Sequence, residues 1–240
     1  MGLLFVLGIG AFTLASLIVG ARLLALAART RGLAEAALGA ALFLGGVGYL
    51  LIVIAVRGVA HAHAALPLVV GNLLLHAGSM ALAIGTWRVF RPAARWPVAM
   101  VGAIGAVLAT SFAIRLAHLQ VIPPPAEVFW PSTLAGAAAY AWSAAESLRF
   151  WSMMRRREAL GLADRAVTRR FGLWGLCTAC AVGMHGATMI DRMISSDALA
   201  PATVAVSSAL GLVAAISVWL AFFPRSVRAR ARASRTPQAH

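Results

Sequence analysis

The chain has 240 residues, of which 61 % are hydrophobic and only 12 % charged, and its mean hydropathy is +0.86. Soluble domains are roughly half apolar and a quarter charged, so this composition excludes a water-soluble enzyme, a disordered chain and a disulfide scaffold. The formal charge of +14 comes from 21 basic residues against seven acids, and every basic residue is an arginine. Those arginines lie between apolar runs, so they read as a topology signal and not as a nucleic-acid footprint.

Seven apolar runs follow one another along the chain, at 3–24, 36–56, 66–86, 96–116, 128–148, 171–190 and 202–222. About 20 apolar residues cross a bilayer as a helix. The expected fold is therefore all-α: a polytopic bundle of seven transmembrane helices over residues 1–223, followed by a basic, unstructured tail at 224–240. A β-barrel is excluded because its strands alternate polar and apolar residues and these runs do not. Pro67, Pro97, Pro131 and Pro201 sit at or near run starts, where a missing N–H costs no helical bond. Pro123, Pro124 and Pro125 mark a stiff turn before the fifth run.

The first run has no basic residue before it and exceeds a secretory h-region in length, so it reads as a span and not a signal peptide. Eighteen of the 21 arginines fall on one set of alternate connections, and only Arg57, Arg115 and Arg192 fall on the other. The positive-inside rule then places the N-terminus outside and the C-terminus in the cytoplasm. Trp87, Trp96, Trp151 and Trp174 are expected near the inner boundary, and Trp130 near the outer one. Absence of lysine with heavy use of Ala, Arg and Gly points to a GC-rich bacterial genome, hence a bacterial inner membrane. It also excludes a Schiff-base retinal protein. The anionic inner leaflet is an expected partner of the basic tail.

The connection at 149–170 is the longest and carries seven arginines. It is expected to extend the fifth helix past Met154, turn near Gly161 and re-enter the sixth helix as an amphipathic segment. That makes it the candidate contact for a cytoplasmic signalling partner. Small residues mark expected packing faces: Gly175, Ala179, Gly183 and Ala187 on the sixth helix, Gly45, Gly46 and Gly48 on the second, Gly102 and Gly105 on the fourth. The same faces would serve a homo-oligomer.

Polar groups inside a membrane are costly and point to function. Asn72, His76 and Ser79 share one face of the third helix, and His185 lies in the outer half of the sixth. At 1.5 Å per residue, His76 is about 15 Å and His185 about 8 Å below the outer helix ends. The rings are thus expected to be joined by a water-lined cleft and not to touch. Tyr49 and Arg115 are the further candidate partners, completing a ligand-binding or sensing set of Asn72, His76, Ser79, Tyr49, Arg115 and His185. Interhelical hydrogen bonding without further function is the plain alternative. A metal or haem site is another: His61 and His63 form a possible ligand pair, with Met184, Met189 and Met193 as soft donors. No catalytic motif, resident cofactor or metal is assigned. Glu146 is expected to pair with Arg149 one turn on, and Cys177 and Cys180 to act as packing residues.

Two stretches carry a family likeness: Gly71-Asn72 through Gly85-Thr86-Trp87-Arg88 to Pro92, and Leu160–Asp164 through Arg170-Phe171-Gly172-Leu173-Trp174-Gly175. Both resemble the seven-helix membrane-embedded input modules of bacterial diguanylate cyclases and histidine kinases. The resemblance implies an outside N-terminus and a sensory role. Those modules precede an output domain, whereas only 17 residues follow position 223 here, so a free-standing, non-enzymatic receptor with a separate partner is expected. A small transporter or channel-like subunit is the competing class, although no internal repeat supports it.

A reporter fused after His240 should be active in the cytoplasm, and one inserted beside Pro124 should be active outside. The reverse pattern overturns the orientation.

Overall fold

The computed structural model describes residues 6–57, 65–118, 124–194 and 200–223. Over these residues the chain forms seven α-helices and no strand. A single π-helical turn at Val6–Gly10 leads into α1 (Ala11–Thr30); α2 is Leu33–Arg57, α3 Ala65–Phe90, α4 Trp96–Ala117, α5 Ala126–Ala159, α6 Arg165–Ile194 and α7 Pro201–Phe222. His61, His63, Pro123, His240 and the tail at 224–240 lie outside the described residues.

Six helices, all but α5, are long and apolar enough to cross a membrane. α5 is the longest helix, but Glu127, Ser132, Thr133, Tyr140, Ser143, Glu146 and Ser147 dilute its apolar character. Leu14, Leu66, Ile190 and Ile216 point outward, whereas Ser111, Ser143, Ser147, Thr178 and Asp191 are buried. Large apolar side chains outside and polar ones inside reverse the soluble pattern and fit a multi-pass membrane protein.

α1, α2, α3, α5, α6 and α7 close a ring, each packed on the next and α7 returning to α1. α4 stands outside it, against α3 and α5. The α2–α3 seam is tightest at Gly48 and Gly71. A Cβ on Gly48 would lie 2.6 Å from the Gly71 carbonyl oxygen, and one on Gly71 would lie 2.8 Å from that of Gly48. Glycine is needed there because backbone meets backbone. The other small residues differ by position. Gly175 faces Leu148 of α5 and Gly183 faces Leu210 of α7, but Gly102 on the peripheral α4 faces open space.

The 149–170 connection is mostly helix. α5 runs on to Ala159, Gly161 turns the chain with φ +71°, and the Leu162 amide returns to the Arg157 carbonyl at 2.9 Å. This is a glycine C-terminal motif, and only glycine takes that φ freely. Asp164 then caps α6 by accepting from the Ala166 amide at 2.7 Å.

One expected pairing and one expected position change. Glu146 Oε1 accepts from Arg91 Nε at 2.8 Å, not from Arg149, which is exposed. Arg91 follows α3, so the bond ties α3 to α5 at the arginine-rich end. Phe90, Phe150 and Phe171 cluster beside it with ring centroids 4.5–5.9 Å apart. Trp174, expected in the aromatic belt, is buried inside the ring and donates from Nε1 to Ser143 Oγ at 3.2 Å. Buried indole N–H groups commonly find such a partner, although the Nε1 of buried Trp142 has none.

Gly71→Val should lower stability by about 1–3 kcal/mol through forced separation of α2 and α3. Gly102→Ala should be neutral or slightly stabilising, since helix propensity rises and nothing is displaced. Thermal unfolding in one detergent compares them; equal behaviour would remove the Gly48–Gly71 contact as the determinant of the seam.

Candidate functional site

Asn72, His76 and Ser79 recur at steps of four and three along α3 and so face the same way. That face looks across to α5 and α4. With Arg115 of α4 and His185 of α6 they line one cleft of about 310 Å³, whose far wall is α5 at Ser132, Gly136 and Tyr140. Gly136 lies where they converge. A Cβ there would be in ordinary van der Waals contact with His185 Cε1 at 3.5 Å and Ser79 Oγ at 4.0 Å, so side chains from α3 and α6 meet over α5 at this position.

The two rings are held differently. His185 tilts against Tyr140, with centroids 5.6 Å apart at 42°. His76 meets Phe112 of α4 edge-on at 6.0 Å. Its Nδ1 is buried without a hydrogen-bond partner. Neither helix-mate donates to it. Asn72 Nδ2 donates to the Leu68 carbonyl at 2.8 Å and Ser79 Oγ to the Leu75 carbonyl at 3.0 Å. Short polar side chains within a helix find the carbonyl one turn back at once, which competes with any cross-helix bond. Arg115 is buried and donates from Nη1 to the His118 carbonyl at 2.9 Å. Tyr49, grouped with these residues from sequence, lines instead an adjoining cavity of about 390 Å³ inside the ring. Leu75, Tyr140 and His185 border both spaces.

The arginine-poor end carries contacts that spacing did not reveal. Buried Asp191 Oδ1 accepts from the Ala200 amide and from Thr203 Oγ1, both at 3.0 Å. α7 starts at Pro201 behind Ala200, which offers no capping side chain, so the carboxylate of α6 serves as its cap. A helix start without Ser, Thr, Asp or Asn was the available signal. The next residue, Arg192, donates from Nη2 to the Pro124 carbonyl at 3.1 Å and sits over the Phe129 ring. Asp191 and Arg192 thus hold the starts of α7 and α5 around the end of α6.

Among the described residues no three His, Cys, Asp or Glu side chains group around a metal position. Cys177 and Cys180 are free thiols, both buried in the ring.

Asp191→Ala leaves the Ala200 amide and the Thr203 hydroxyl unmatched and should cost about 1–3 kcal/mol of stability. Thermal unfolding would show it, and hydrogen exchange should rise first at the start of α7. Unchanged exchange there would remove the cap.

No family model, curated protein or solved structure matches this chain.

Proposed function

We propose that the chain is a bacterial inner-membrane protein with seven spans, its N-terminus outside and its C-terminus in the cytoplasm, acting as a receptor-like sensor. A small ligand or a proton enters the histidine cleft from the outer side. The observation that carries the reading is the cleft itself. Two histidines from different helices line one space, and one of them has a buried ring nitrogen free to bond. Histidine changes charge near neutral pH, so the same groups suit protons or a small polar ligand.

The route inward is covalent and short. His185 stands 20 residues from Arg165 on one unbroken helix, roughly 30 Å along its axis. Gly136 and the hairpin are likewise joined by unbroken α5. A change in how His185 sits against Gly136 and Tyr140 therefore shifts two rigid helices relative to each other, as in shear motions between packed helices. The hairpin at 149–170 then presents a changed basic surface to a cytoplasmic partner. On this reading the chain transmits and does not catalyse.

Two measurements test it. In a Cys177→Ala, Cys180→Ala background, His76→Cys should react with a membrane-impermeant maleimide added outside intact cells. Reaction only from the cytoplasmic side overturns an outward-open cleft. A spin label at exposed Leu160 should change mobility when external pH falls from about 8 to about 5, across the histidine range. The change should vanish when His76 and His185 are both replaced by Gln. A label indifferent to pH in the parent protein removes proton sensing.

A further inference from the structure

The cavity inside the ring is lined differently from the cleft. Its wall is mostly apolar, with Phe12, Leu42, Leu82 and Trp174 contributed by four different helices. Ser16 of α1 also lines it. That residue is 3 % exposed, and its Oγ has no hydrogen-bond partner. Thr13, one turn earlier in the same helix, returns its hydroxyl to the Ile9 carbonyl at 2.9 Å in the usual way. Ser16 does not. Six buried side-chain polar atoms among the described residues lack partners, and Ser16 Oγ is the one that lines this cavity. On the neighbouring helix α2, Gly45 also lines the cavity and faces empty space, with nothing within 4 Å of a Cβ built there.

The cavity also has a neighbour on the lipid side. A groove of about 280 Å³ follows the α1–α2 seam and shares Ile9, Thr13 and Tyr49 with the cavity. Its outer border is Leu14 and Leu50, which are 60 % and 43 % exposed on the apolar surface. Further along, the seam is shut by close contact between Gly20 and the backbone of Phe43. The groove thus leads from the apolar surface toward the ring interior on one side of that contact.

We propose that the ring cavity binds a lipophilic molecule carrying one hydrogen-bonding group, which enters from the bilayer between α1 and α2 and is anchored on Ser16 Oγ. Water is a poor occupant of an apolar wall, because a buried water needs two to four polar partners. The volume sits at the lower end of the roughly 300–1,000 Å³ of small-molecule sites, whose pattern is an apolar lining with few placed polar groups. A hydroxyl both donates and accepts, so the ligand's polar group is a hydroxyl, carbonyl or amine. Tyr140 and His185 form the partition from the histidine cleft, so the occupant rests against His185 from behind. This site goes beyond the sensor reading and stands if external labelling of the cleft fails.

The test uses two probes on the full chain in lipid nanodiscs: 1-aminoanthracene, a flat hydrocarbon with one amine, and anthracene, which has none. Binding is read as energy transfer from tryptophan to probe, with empty nanodiscs as the partition background. Both probes should bind saturably to the parent protein. Gly45→Leu should weaken both by at least about tenfold while unfolding at or above the parent temperature, since leucine favours helix and enters empty space. Ser16→Ala should weaken 1-aminoanthracene by about fivefold to tenfold, the worth of one hydrogen bond, and leave anthracene unchanged. Non-saturable uptake matching empty nanodiscs overturns the site. Parent-like binding by Gly45→Leu overturns its location, and equal effects of Ser16→Ala on both probes overturn the anchor. If Gly45→Leu does not fold, the Ser16→Ala comparison decides alone.

Discussion

In a hydrocarbon phase no water is available to a backbone amide, so each must be paired within its own helix. Much else in this molecule depends on that constraint. It makes helices the only spanning element available to runs that lack strand alternation. It also shapes the site, because Asn72 and Ser79 spend their donors on carbonyls of α3. His76 lies between them and is left with an unpaired nitrogen in the cleft wall. The free group arises from ordinary helical chemistry on either side of it.

Hydrophobic attraction does not hold helices together in lipid, so contact must come from shape and a few polar bonds. The backbone meeting of Gly48 and Gly71 supplies shape; Arg91–Glu146, Trp174–Ser143 and Asp191–Thr203 supply bonds. Two of these bonds lie toward the arginine-rich end and one at the other end, and all involve α5 or α6. This explains why α5 is less apolar than its neighbours. It is the wall against which α3, α4 and α6 are packed, and its Ser143 and Ser147 are buried.

Helix positions were legible because each run needs about the same length, and turn positions because Gly161 and the prolines leave few options. The α3 face was legible from periodicity, since steps of three and four hold wherever the helix packs. Depth arithmetic separated His76 and His185 by about 7 Å in height, and the two line one cleft all the same. Pairings between helices were not legible. Glu146 found Arg91 over Arg149 because α3 and α5 are neighbours in the ring, and ring order leaves no trace in the residue pattern. Tyr49 fell into the inner cavity for the same reason: α2 turns that face toward the ring centre. Trp174 looked like a belt residue by its nearness to arginines, but its side of the helix decided otherwise.

The borrowed cap of α7 has a consequence for how the protein is made. The amino end of α7 has no capping side chain of its own and takes one from Asp191, near the end of α6. A lone α7 would enter the membrane with the Ala200 amide and the Thr203 hydroxyl unmatched at its leading turn. Paired with α6, it enters with both satisfied. Biogenesis should therefore treat α6 and α7 as one hairpin delivered together, with residue 191 synthesised first and waiting for its partner helix to emerge.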